Sequence, residues 1–166
     1  NYTWYLKNVH LVPYTWEQEE TILLRELARS HASLRLEENR NRELAMLSRI
    51  DNVADYDRNF NEAVDDMITF LEEEEIFTMA DYMGPALRAR IGSFSPADGL
   101  RGFFSEIDYR DPLTMRTHGV HWIDLARMEH EPHESPMRRV PALSNIYDNR
   151  SEGLATGFEE MMMHAG

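Results

Sequence analysis

At 166 residues, with 42% hydrophobic and 10% aromatic side chains, the chain is long enough to enclose a core and too apolar for disorder. Thirty acidic against 17 basic residues give a formal charge of −13, which repels phosphate backbones and anionic membrane surfaces, so neither nucleic acid nor membrane is an expected partner. The absence of cysteine removes disulfides, thiolate metal sites and cysteine nucleophiles, and leaves the compartment open.

No stretch approaches the roughly 20 uninterrupted apolar residues of a membrane helix, and Asn1-Tyr-Thr-Trp-Tyr-Leu-Lys7 lacks the basic-then-apolar layout of a signal peptide. The first long helix is announced by Thr15 three residues before Gln18, the spacing of a capping box, with Glu17, Glu19 and Glu20 suited to the positive end of the helix dipole. Its apolar stripe is Leu24, Leu27, Ala28 and His31, flanked by Ile22, Leu23 and Leu34, and it should fade near Asn39-Arg-Asn-Arg42. Phe60, Ala63, Val64, Met67, Ile68 and Leu71 mark a second helix that ends in the run Glu72 to Glu75, read as a solvated terminus.

Between Ile76 and Ile107 the punctuation by Gly84-Pro85, Gly92-Ser93, Ser95-Pro96 and Gly99 predicts brief helices and irregular structure. Asp111-Pro112 then opens a helix to about Met128, with Asp111 as N-cap and Pro112 in the first turn. Three prolines make residues 129–141 an extended loop, and a last helix starts near Asp148 or Ser151 and runs to His164. Neither strand alternation nor a repeat is visible, so the expected class is all-α: a multi-helix assembly with a long N-terminal helix and an irregular middle. The chain begins without Met and closes on a periodic segment, so it is expected to be one helical domain over residues 1–166 or a fragment of a larger helical protein.

A helical wheel of residues 112–128 puts His118, His121, Trp122, Leu125 and Met128 on one side and Arg116, Asp124 and Arg127 on the other. Two imidazoles one turn apart on an apolar side can converge on one cation, or they can be core histidines bonded to carbonyls or carboxylates. On the last helix Leu154, Phe158, Met161, Met162 and Ala165 form the apolar face and Gly153 with Gly157 a small-residue groove, leaving Glu152, Glu159 and Met163 on a stripe between them. A carboxylate buried on that stripe needs a cation or strong donors, and Arg138, Arg139 or Arg150 would serve Glu152 as well as a metal would. His130 and His133 have Pro132 between them and read as part of a polar loop. No phosphate-binding glycine loop, dinucleotide fingerprint or nucleophile elbow is present.

Trp4-Tyr-Leu-Lys-Asn-Val-His-Leu-Val-Pro-Tyr-Thr-Trp16, Arg25-Glu-Leu-Ala-Arg29, Leu36-Glu-Glu-Asn-Arg40 and Glu152-Gly-Leu-Ala155, in that order, resemble the bacterial helical proteins of the domain of unknown function 885 family. Those proteins are several times longer and resemble zinc peptidases of the gluzincin type, in which a His-Glu dipeptide leads to Gly-His-His and a later Glu-Gly-Trp-Ala gives a third ligand. By position, His121-Trp122 stands for His-His and Glu152-Gly153-Leu154-Ala155 for Glu-Gly-Trp-Ala, while the leading His-Glu falls near Met115-Arg116, which can neither ligate nor accept a proton.

The resemblance implies a metal-dependent, peptidase-like hydrolase acting on a peptide or small molecule, in an incomplete or inactive form. His118, His121 and Glu152 would hold a divalent metal such as zinc, and Glu159 would stand in for the missing general base. The alternative from another class is a non-catalytic scaffold or partner-binding domain, docked to another chain or to the remainder of a longer protein, with the same groups in a hydrogen-bond network.

Overall fold

The computed structural model describes residues 1–96, 101–136 and 146–165, without the side chains of residues 146–150, 163 and 165. Every regular element among the described residues is a helix, as the sequence implied. In chain order they are α1 (Tyr2–Asn8), α2 (Trp16–Arg40), α3 (Val53–Glu73), α4 (Met83–Arg88), α5 (Phe103–Asp108), α6 (Leu113–His130) and α7 (Ile146–Ala165). No described helix is long and apolar enough to cross a membrane. The described residues divide into two compact units, one built on Asn1–Met46 and the other on residues 47–136 and 147–165.

In the first unit the capping box forms as expected: Thr15 Oγ1 accepts from the amide of Gln18 at 3.3 Å, and Gln18 Oε1 accepts from the amide of Thr15 at 2.9 Å. The Trp16 amide reaches Thr3 Oγ1 at 3.3 Å, and the Trp16 ring meets Tyr2 edge-on, so α1 is pinned to the start of α2. The expected stripe on α2 is present and yet buries nothing. Leu23, Leu24, Leu27, Leu34 and Leu36 are each more than half exposed.

In the second unit Asn52 caps α3 by accepting from the amide of Asp55 at 2.9 Å, and the helix buries Ala63, Val64, Met67 and Leu71 at helical spacing. Those four meet Met83 and Leu87 of α4, Met115, Val120 and Ile123 of α6, and Phe158 of α7 in one apolar core. Full burial of a Leu or Met side chain contributes about 1.5–3 kcal/mol, so this cluster holds the unit together. A smaller cluster of Ile50, Tyr56, Phe60 and Tyr109 closes the end of α3 against the α5–α6 turn, where the Ile50 amide donates to the carbonyl of Tyr109 at 2.6 Å.

Several local expectations need correction. α6 begins at Leu113, with Pro112 in the cap position, and the carboxylate that caps it is Asp108, whose Oδ1 accepts from the Thr114 amide at 3.0 Å. Asp111 contributes its backbone carbonyl and no side-chain cap. The helix runs on to His130, so Glu129 and His130 belong to it and not to a loop. Its buried residues are Met115, Gly119, Val120, Ile123, Asp124 and Ala126, a face rotated from the expected one, because α6 packs against α3 and α4 on one side and receives α7 on another. On α7 the buried positions are Ser151, Ala155 and Phe158, while Leu154 and Met161 are exposed. Residues 137–141 of the expected loop lie outside the described residues.

Candidate functional site

α6 carries the two imidazoles at the margin between its buried and exposed faces, His121 being 15% exposed at its side chain and His118 somewhat more. Their ring centroids are 5.0 Å apart, one helical turn separating them, and the edge of Trp122 leans on His118 at 5.9 Å. α7 supplies a carboxylate to each. His118 Nδ1 lies 2.6 Å from Glu159 Oε1, a hydrogen bond between helices, while His121 Nε2 is 3.8 Å from Glu152 Oε1, beyond hydrogen-bond reach.

The helices thus bring together the four side chains singled out in the sequence, as two imidazole–carboxylate pairs. Among the described residues no three His, Asp or Glu side chains are grouped so as to hold a metal ion. A divalent metal on His118, His121 and Glu152 would have to take the His118 ring nitrogen that does not face Glu159, bring a nitrogen of His121 to the same point and draw in Glu152, whose side chain is 67% exposed. Glu159, expected as a proton acceptor, is committed to His118 through Oε1. Arg138 and Arg139, weighed as partners of Glu152, lie outside the described residues, as does the Arg150 side chain.

Two polar atoms at this junction are buried with no hydrogen-bond partner among the described residues: His121 Nδ1 and, on α7 beside Glu152, Ser151 Oγ. Asp124, expected on the solvent side with Arg116 and Arg127, is only 7% exposed. Gly153 and Gly157, expected to admit a neighbouring backbone, have nothing among the described residues within 4 Å of where a β-carbon would stand, so no described helix approaches them closely.

His118 and Glu159 also border an open groove of about 540 Å³ between α5, α6 and α7. Phe103, Phe104 and Ile107 of α5 form one wall, and Leu113, Thr114 and Thr117 of α6 the other. The sequence reading passed over this wall because two adjacent phenylalanines in a short irregular segment show no periodicity; the signal available was their apolarity so near the histidine helix. At the far end of α6, His130 stacks on Tyr82 with ring centroids 4.4 Å apart, and the Tyr82 hydroxyl donates to Glu131 Oε1 at 2.7 Å. Desolvation and that acceptor push the Tyr82 hydroxyl up to about 12. His133 stays in the turn beyond, its Nδ1 accepting from the Ser135 amide at 3.0 Å.

Comparison with family models, with curated proteins and with solved structures found no match to this chain.

Proposed function

We propose that this chain is a non-catalytic helical scaffold, an inactive counterpart of the gluzincin-like proteins it resembles, in which His and Glu side chains tie two helices together instead of serving a divalent metal. The observation that carries this reading is the 2.6 Å contact between His118 Nδ1 and Glu159 Oε1, which joins the expected ligand to the expected base. It is supported by Met115-Arg116 at the position of the family's His-Glu, and by the exposure of Glu152. The uncovered leucines of α2 give such a scaffold an apolar surface to offer another chain or the remainder of a longer protein.

Metal content separates this reading from the hydrolase. Protein purified without added metal should carry less than about a tenth of an equivalent of zinc, iron or manganese, because a real site of this class fills nearly completely. His121→Ala should then lower stability by about 1–3 kcal/mol and change no metal content. Close to one equivalent of metal, lost on His121→Ala, would overturn the scaffold and restore the hydrolase.

A further inference from the structure

We infer that the groove between α5, α6 and α7 binds a small hydrophobic ammonium compound, its apolar part between Phe103, Phe104 and Leu113 and its charged nitrogen at the Glu159–His118 pair. The volume, about 540 Å³, falls within the usual range of small-molecule sites, roughly 300–1,000 Å³. Among the described residues its walls are apolar apart from two threonines and this one pair, and no Lys or Arg lines it.

The polar end selects by hydrogen-bond count and charge. Glu159 spends Oε1 on His118, and its Oε2 makes no hydrogen bond among the described residues. In the neutral tautomer of His118 that donates its Nδ1 proton to that carboxylate, the opposite ring nitrogen presents a lone pair. Thr117 donates its hydroxyl proton to the carbonyl of Leu113 at 2.9 Å, which leaves its oxygen free to accept. The groove therefore offers acceptors, and an ammonium group, with three donors and no acceptor, matches them where a single hydroxyl engages one.

Charge favours the same class. A carboxylate ligand would meet Glu159 and a chain of net charge −13, both repulsive, whereas a cation is drawn by the long-range field and then by the Glu159 charge. A metal on His118 would take its ring nitrogen and leave the groove wall and the second oxygen of Glu159.

Calorimetric titration of the whole chain at pH 8 and low salt, with 2-phenylethylamine, 2-phenylethanol and 3-phenylpropionate as probes of matched size, tests this. The amine should bind saturably with a Kd below about 1 mM, the alcohol at least about tenfold more weakly, and the propionate not at all. Glu159→Gln should bring the amine to the level of the alcohol, and Phe104→Ala should weaken both. Phe104 is 69% exposed, so that variant folds even if Glu159→Gln does not. Equal binding of amine and alcohol would leave only a non-selective apolar groove and overturn the proposal. So would preferential binding of the propionate, no saturation by the amine, or amine affinity unchanged in Phe104→Ala.

Discussion

Gly119 on α6 faces Leu87 on α4 so closely that a β-carbon at position 119 would stand 3.3 Å from Leu87 Cδ2, with Met67 of α3 at 3.5 Å. The glycine is where three helices converge. Gly119→Ala gains about 1 kcal/mol of helix propensity, but Leu87 and Met67 are enclosed in the core and have little room to yield, and overpacking costs about 1–3 kcal/mol. A net loss near 1 kcal/mol is expected for Ala and a larger one for Val, measured by urea denaturation. Higher stability in Gly119→Ala would show that Leu87 moves aside freely.

The start of α6 offers a cleaner discrimination. Asp108 Oδ1 accepts from the Thr114 amide at 3.0 Å, whereas among the described residues the Asp111 carboxylate bonds only to Arg116, at 3.4 Å. Asp108→Ala should cost about 1 kcal/mol, as the loss of a helix cap does, and Asp111→Ala less than about 0.5 kcal/mol. Thermal melts of the two variants would invert in rank if Asp111 were the cap.

That cap illustrates what the sequence could and could not disclose. Thr15 with Gln18, and the spacing of Phe60, Ala63, Val64, Met67 and Leu71, are local signals, and the structure realises both in place. The faces of α6 and α7 are set by which helices cover them. A helix covered on several sides loses the periodic contrast that a helical wheel relies on, so Asp124, on the polar side of the wheel, is buried, and Leu154, on its apolar face, is exposed. The four His and Glu side chains stand out on such helices in the sequence; their pairing, which depends on the register of α7 against α6, does not.

Acid stability should report the Glu106 cluster. Arg49, bonded to Glu106 with its terminal nitrogen 2.6 Å away, and then Arg110 at 3.0 Å, hold the Glu106 carboxyl below its ordinary value. A carboxyl lowered in the folded state stabilises above its unfolded pKa, and that contribution fades as pH falls through the folded value. Glu106→Gln should therefore be less stable than the parent at pH 7, with the gap closing progressively below about pH 4.5. Denaturant midpoints from pH 7 to pH 3 check this; a gap independent of pH would assign the effect to packing.

The end of α3 carries a residue in a conformation that side chains avoid. Glu75 has φ 52°, and around it the Ile76 amide donates to the Leu71 carbonyl and the Glu75 amide to that of Glu72, each at 3.1 Å. This is the Schellman closure, in which the left-handed position is normally glycine, and Ile76 packs onto the core that contains Leu71. A side chain there costs about 1 kcal/mol, so Glu75→Gly should stabilise the unit by roughly that amount. The substitution also removes one charge from the run Glu72 to Glu75, and relief of like-charge repulsion would act in the same direction. Glu75→Ala separates the two causes, because it deletes the charge and keeps the β-carbon. If backbone strain dominates, Ala gains a small fraction of what Gly gains at any salt concentration. If repulsion dominates, the two variants gain alike and both gains shrink as salt screens the run.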